Sequence, residues 1–172
     1  MSLLDILQQY SNPGTAPAGE VLGHFDAVAR QADPQDLGKG IAAAMRSDAT
    51  PSFGQTIGSL FGQSNPSQKA GVLNEILQTL GPGALASAGG GVLGRILGVG
   101  NGGVSPTTVT PEQATQVSPA ELSNVAEKAQ AQNSSIVDRL GSFYAQHPTL
   151  VKTLGAAALG AVMSHMNNQR RV

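Results

Sequence analysis

The sequence predicts an all-α protein, a bundle or orthogonal array of short helices in two lobes that are joined by a glycine-rich connector. Two observations lead to this prediction. Seven of the ten prolines follow Ser, Thr, Asp or Asn, and such a pair suits a helix start because the polar side chain caps the first turn while proline is preset at helical φ. Between these pairs, apolar residues recur every three or four positions, which is typical of helices with one buried face.

The first predicted element is an N-terminal arm, residues 1–17. It is a short amphipathic helix that ends before the turn sequence Ser11-Asn12-Pro13-Gly14. Its apolar face consists of Leu3, Leu4, Ile6 and Leu7. The arm could dock on its own core or on a neighbour, since exchanging an identical element between copies costs little.

Residues 18–82 form the second predicted element, a four-helix unit. Asp33-Pro34, Thr50-Pro51 and Asn65-Pro66 mark the starts of its second, third and fourth helices, and Gly81-Pro82-Gly83 ends the last one. Short connections predict an antiparallel bundle or an orthogonal array. The buried stripe of its first helix is predicted to be Val21, Leu22, Phe25, Val28 and Ala29.

Residues 83–109 are predicted to be a glycine-rich connector. Nine glycines lie between positions 83 and 103, and each costs a helix about 1 kcal/mol relative to alanine. One interpretation is a flexible linker whose centre, Val92 to Leu97, is weakly helical. The other is a segment that becomes ordered only against a partner surface or a membrane.

The C-terminal unit, residues 110–172, begins with two predicted capping boxes, one from Thr110 to Gln113 and one from Ser118 to Glu121. Two amphipathic helices follow, and His147-Pro148 separates them from a last helix that is predicted from Thr149 to about Asn167. Small residues repeat at four-residue spacing in this last helix, which allows another helix to approach closely. They are Ala156, Gly160 and Ser164.

The low charge favours self-association. Charged residues make up 12% of the chain and the net charge is −1, against about 25% charged residues in an ordinary domain, so little repulsion opposes contact between copies. We expect a homo-oligomer or a polymer, the alternative being a small monomer with a surface rich in Gln and Ser. The expected self-association residues are Leu3, Leu4, Ile6, Leu7, Ala156, Gly160 and Ser164.

No motif in the sequence indicates catalysis. There is no cysteine, and His24, His147 and His165 lie in three different segments without a second ligand at a metal-binding spacing. Phosphate-binding loops, the G-x-S-x-G elbow and the HExxH zinc motif are also missing from the sequence. We therefore expect a non-enzyme without catalytic, cofactor-binding or metal-binding residues and without a small-molecule substrate.

Charge and hydropathy also bear on partners and location. Ten Lys and Arg against eleven Asp and Glu provide no basic stripe for nucleic acid. The apolar stretch Leu154 to Met163 has ten residues, about half of what a membrane-spanning helix needs. Residues 1–10 lack the pattern of a secretory signal, so a cytoplasmic location is the default expectation.

Two stretches resemble segments of small bacterial all-helical proteins that have no known activity. The first begins HFDAVARQADPQDL and covers residues 24–77, and the second begins VSPAELSNVAEKAQ and covers residues 117–155. The resemblance implies a bacterial source. It implies no activity and no site residues.

These observations predict a non-catalytic structural or scaffolding protein that self-associates. The second hypothesis is a peripheral membrane protein that uses the amphipathic arm or the glycine-rich segment, although neither carries the Lys and Arg that attract anionic lipids. The third is an adaptor that binds another protein through a groove of the bundle.

Overall fold

A computed structural model of the chain describes residues 2–11, 19–48, 50–81, 83–84, 91–97 and 108–171. Over these ranges it contains eleven α-helices, one short 3-10 helix and no β-strand. The predicted all-α fold class is confirmed. The Asn12-Pro13 turn and the Ser105-Pro106 pair lie outside the described residues.

The helices differ widely in length, from a single turn to four turns. In chain order they are α1 (Leu3–Gln8), α2 (Val21–Gln31), α3 (Pro34–Met45), α4 (Phe53–Gln63), α5 (Pro66–Leu80), α6 (Gly91–Ile96), α7 (Pro111–Ala114), α8 (Pro119–Gln132), α9 (Ser135–Ala145), α10 (Pro148–Val151), the 3-10 helix Lys152–Leu154, and α11 (Ala156–Arg170).

Polar residues before proline cap four of these helices. Asp33, Asn65, Thr110 and Ser118 each accept a hydrogen bond from a backbone N–H of the first turn, and the proline that follows is the first helical residue. Each cap satisfies one of the N–H groups that a helix start leaves without an intrahelical partner. The pairs therefore position α3, α5, α7 and α8 as the sequence predicts.

Two predicted caps differ from the structure. Thr50-Pro51 does not start α4, because α4 begins at Phe53, and the Thr50 hydroxyl donates to the carbonyls of Ala44 at 2.7 Å and Ser47 at 3.0 Å, at the end of α3. Ser118 caps α8, but Glu121 does not complete a capping box. Its carboxylate accepts a hydrogen bond from the Val92 N–H at 3.1 Å instead, at the start of α6.

The last helix is shorter than predicted, because the chain from Pro148 forms α10 and the 3-10 helix before α11 begins. Gly155 separates them with a φ of +90°, in the left-handed region that favours glycine. The Lys152 Nζ lies 2.9 Å from the Asp26 carboxylate, so the 3-10 helix is paired with α2. The prediction of one continuous helix from Thr149 is wrong because the helix breaks at Gly155.

One compact unit, called unit 1, contains residues 1–52 and 140–172. In it, α11 packs against α1, α2 and α3. The helix α11 comes close to α3 at Gly40, where an added Cβ would lie 3.2 Å from the Val162 carbonyl and 2.6 Å from the Met166 Cγ. The fully buried side chains include Phe25, Leu37, Ile41, Leu159, Met163 and Met166.

The other compact unit, called unit 2, contains residues 53–139. Its most extensive helix pair is α4 with α8, while α5 packs against α7 and α8. The Asn74 side chain holds the chain before α7, because it accepts from the Val109 N–H at 2.6 Å and donates to the Val109 carbonyl at 3.2 Å. Leu93 and Leu97, on and just after α6, are fully buried.

The grouping of helices differs from the predicted division at residues 82 and 110. Of the helices expected in one four-helix unit, α2 and α3 belong to unit 1 whereas α4 and α5 belong to unit 2. Part of the expected connector also belongs to unit 2, since residues 91–96 form α6, and Leu93 in this helix and Leu97 just after it are buried. An apolar stripe shows which face of a helix is buried, but it does not identify the helix that covers it.

Candidate self-association surface

The arm begins with a complete capping box. The Ser2 hydroxyl accepts from the Asp5 N–H at 3.3 Å, and the Asp5 carboxylate accepts from the Ser2 N–H at 3.1 Å and from its hydroxyl at 2.8 Å. These hydrogen bonds, first the side-chain one from Ser2, hold the pKa of Asp5 below its ordinary value. A helix of only six residues is thereby fixed at its start.

Only half of the arm's predicted apolar face is available to a partner. Ile6 and Leu7 are 2% and 0% exposed, in a helix that contacts α2 and α11. Leu3 is half-buried, and Leu4 is 53% exposed. The arm thus docks on its own unit in this structure, and Leu4 lies at its outer surface.

A hydrogen bond from Tyr10 fixes the chain just after α1. The Tyr10 hydroxyl lies 2.9 Å from the His24 Nδ1, and the two rings meet edge to face. Burial and then the charge of Glu20 raise the pKa of Tyr10, so its hydroxyl keeps its proton at neutral pH. His24 is buried rather than on the surface, and its Nε2 lies 3.8 Å from Glu20.

The sequence did not identify Leu22 as a surface residue. Leu22 is 48% exposed, whereas the sequence pattern predicts it in the buried stripe of α2. Val21, Phe25 and Val28 form that stripe at positions i, i+4 and i+7, and a residue at i+1 lies about 100° away around the helix. Among the described residues, Leu4 and Leu22 are the large apolar side chains with high exposure, and they lie on helices that contact each other.

The small-residue line of α11 lies away from the close helix crossings of unit 1. Ala156, Gly160 and Ser164 are all half-buried, and a Cβ added at Gly160 would have no neighbour within 4 Å. The core-facing side of α11 is formed by Ala158, Leu159, Val162, Met163 and Met166. The line therefore leaves open space where a neighbouring helix could approach.

The arm and α11, from opposite ends of the sequence, contact each other in unit 1. Their hydrogen bond runs from the Asn167 Nδ2 to the Ser11 hydroxyl at 3.1 Å. Asn167 is 5% exposed and lies three residues beyond Ser164. This hydrogen bond connects the end of the arm to α11 within unit 1.

The described part of the chain holds no cluster of side chains suited to a metal ion. Three or more His, Cys, Asp or Glu residues do not group there as metal ligands would. His147 packs its ring against Phe143 with the centroids 4.9 Å apart. In the same residues, no helix combines the length and the apolar character that crossing a membrane requires.

Comparison with known proteins adds nothing to these observations. No family model, no curated protein and no solved structure matches the chain. The resemblance to small bacterial proteins therefore stays a prediction.

Proposed function

We propose that this protein is a non-catalytic structural or scaffolding protein that associates with copies of itself. The observation that carries the proposal is the pair Leu4 and Leu22, which expose about half of their side-chain surface on two contacting helices of unit 1. Removing an apolar side chain from water stabilises association roughly in proportion to the area covered. We call these two residues, with α1 and α2 around them, the leucine patch.

Charge supports the same proposal. The sequence has eleven acidic and ten basic residues and a net charge of −1, so two copies approach each other with little electrostatic repulsion. In unit 1 the acidic side chains of Asp26 and Asp36 face Lys152 and Arg170 at 2.9 Å and 3.7 Å. Their charges are largely balanced within the unit.

The line of Ala156, Gly160 and Ser164 is the second part of the proposed interface. It is uncharged and open at Gly160, and small residues at this spacing allow helix backbones to come close. A second copy is the occupant that we propose. Peripheral membrane binding remains the alternative. Of the apolar residues that it would use, Ile6, Leu7 and Leu93 are buried, and Leu4 is exposed.

The experiment compares particle mass in two double variants. Leu4→Gln with Leu22→Gln removes the leucine patch while keeping helix propensity, since leucine and glutamine differ little in a helix. The control, Gln8→Ala with Gln31→Ala, changes exposed residues of the same two helices. We expect oligomers for the wild type and the control and a shift to monomers for the leucine variant, by mass photometry and light scattering at tens of micromolar.

Two outcomes contradict the proposal. A monodisperse wild-type monomer would exclude self-association, and an unchanged mass in the leucine variant would exclude the leucine patch. Flotation with anionic liposomes tests the alternative, because a membrane-binding protein rises with the vesicles whereas a soluble assembly stays at the bottom of the gradient.

A further inference from the structure

The leucine patch is small for a stable interface. Specific protein interfaces bury roughly 1,600 Å² in total, and two half-exposed leucines contribute only a small part of such an area. A self-associating protein with this surface needs a larger contact. Unit 1 contains one, because α1 lies against both α2 and α11, which also pack against each other.

The place where α1 binds is specific for its sequence. It receives three side chains that are at most 2% exposed, those of Ile6, Leu7 and Tyr10. It also supplies a hydrogen-bond partner for Tyr10 in His24 and one for Ser11 in Asn167. Without the arm, the His24 Nδ1 and the Asn167 Nδ2 would exchange these two partners for water.

The same segment of a second copy meets all of these requirements. It presents the same apolar pair, followed by tyrosine and serine at the same spacing. Residues 12–18 connect Ser11 to Gly19, and eight such steps can span at most about 28 Å. The place where Ser11 of the arm binds on a second copy must therefore lie within this distance of Gly19. Because α1 contacts α2, the exchanged arm would place Leu4 on a helix that contacts α2 of the second copy.

We propose that the copies associate by arm exchange: residues 2–11 of one copy bind α2 and α11 of a second copy. The Tyr10–His24 and Ser11–Asn167 hydrogen bonds then form between copies. Reciprocal exchange closes a dimer, whereas exchange in one direction builds an open chain. The inference rests on the proposed self-association and specifies its mechanism.

Cysteine cross-linking tests this mechanism, since the sequence has no cysteine of its own. Ser11→Cys is mixed with Asn167→Cys, one of them carrying a mass tag, and the mixture is unfolded and refolded so that arms can exchange. A short bismaleimide is then added. Arm exchange predicts a covalent dimer that contains one copy of each variant, whereas arms bound within their own copies produce none.

The matched control uses an ion pair of unit 1 whose two residues both lie outside the arm. Asp26 and Lys152 are 2.9 Å apart, so Asp26→Cys mixed with Lys152→Cys should cross-link no copies under the same conditions. Cross-linking in both mixtures would mean random collision and would overturn the inference. Cross-linking in the arm mixture alone supports it.

A wild-type measurement covers the case in which Asn167→Cys fails to fold. Isotope-labelled and unlabelled copies are refolded together, and magnetisation transfer is measured between the Tyr10 and His24 rings, whose centroids are 5.9 Å apart. Transfer between differently labelled copies supports exchange. Oligomers without such transfer or cross-links overturn arm exchange but leave self-association standing, and a monomer by light scattering overturns both.

Discussion

The two tyrosines of the sequence lie in different polar surroundings within unit 1. The Tyr10 hydroxyl forms a hydrogen bond with His24, whereas the Tyr144 hydroxyl is fully buried and has no hydrogen-bond partner among the residues that the structure describes. Burial raises the pKa of Tyr144 far above its ordinary value. A buried hydroxyl without a partner costs about 1–3 kcal/mol. The ring of Tyr144, and not its hydroxyl, therefore stabilises unit 1.

Removing each hydroxyl should therefore have opposite effects. We expect Tyr144→Phe to leave the free energy of unfolding unchanged or to raise it by about 1 kcal/mol, because a desolvated group is removed. Tyr10→Phe should lower it by about 1 kcal/mol, because the buried His24 Nδ1 loses its partner. Urea denaturation followed by circular dichroism measures both. Equal losses in the two variants would contradict this assignment.

The capping carboxylate of Asp5 makes the start of α1 sensitive to acid. Its pKa is lowered in the folded arm by the hydrogen bonds from Ser2, so the contribution of the cap is complete above the unfolded pKa. It is lost as pH falls through the lower folded pKa, below about pH 4. Amide exchange by NMR should show faster exchange in α1 at low pH. The variant Asp5→Asn should show less of this pH dependence, and an equal dependence in both proteins would refute the prediction.

At the scale of helices, glycines determine how closely α4 and α8 pack. An added Cβ at Gly54 would lie 2.5 Å from the Ser123 carbonyl and would also overlap the Glu127 side chain, and one at Gly58 would lie 2.8 Å from the Pro119 carbonyl. Both glycines are buried, one helical turn apart in α4. They form a close-approach line that the sequence analysis did not single out.

Gly54→Ala and Gly160→Ala should change stability in opposite directions. At Gly54 the methyl group would overlap backbone atoms of α8, and overpacking of this kind costs roughly 1–3 kcal/mol. At Gly160 the methyl group meets nothing within 4 Å, and alanine in a helix interior is favoured by up to about 1 kcal/mol over glycine. Thermal unfolding by calorimetry distinguishes the two, and a stabilised Gly54→Ala variant would show that α8 can move away.

The sequence was most informative about helix starts and least informative about helix partners. Asp33, Asn65, Thr110 and Ser118 act as caps because capping depends on residues within one turn. Thr50-Pro51 is not a helix start, since α4 begins two residues after Pro51 and the Thr50 hydroxyl donates to carbonyls at the end of α3. The line in α11 and the line in α4 have the same four-residue spacing. Only the packing of each unit shows that the α4 line is occupied.

For the candidate self-association surface, too, the sequence pattern does not show which residues the packing buries. Leu4 was identified from the arm's apolar face, but Ile6 and Leu7 of that face are core residues. Leu22 was missed because it directly follows the first residue of a buried stripe, and a difference of one position decides on which side of the helix a residue lies. Amphipathic pattern alone does not separate a face buried in the same copy from one available to another.

At the scale of the whole molecule, the two units differ in the number of chain segments that form them. Unit 2 is one continuous segment, whereas unit 1 combines the first 52 residues with residues 140–172. Its contacts therefore join positions far apart in sequence, such as Ser11 with Asn167 and Asp26 with Lys152. Contacts of this kind form late because long loops must close first. Both tyrosines belong to unit 1, so tyrosine signals report that unit alone.

An alkaline titration should follow the loss of unit 1. Burial raises the pKa of both Tyr10 and Tyr144, so the neutral phenols stabilise the folded state below the ordinary tyrosine pKa of about 10. That stability is lost as pH rises toward the higher folded values. We expect tyrosinate absorbance to lag behind that of the protein in urea, and then to rise in one step as unit 1 unfolds. Tyr10→Phe should keep this lag, because Tyr144 is the more deeply buried phenol, and ionisation of Tyr144 near pH 10 without unfolding would contradict its burial.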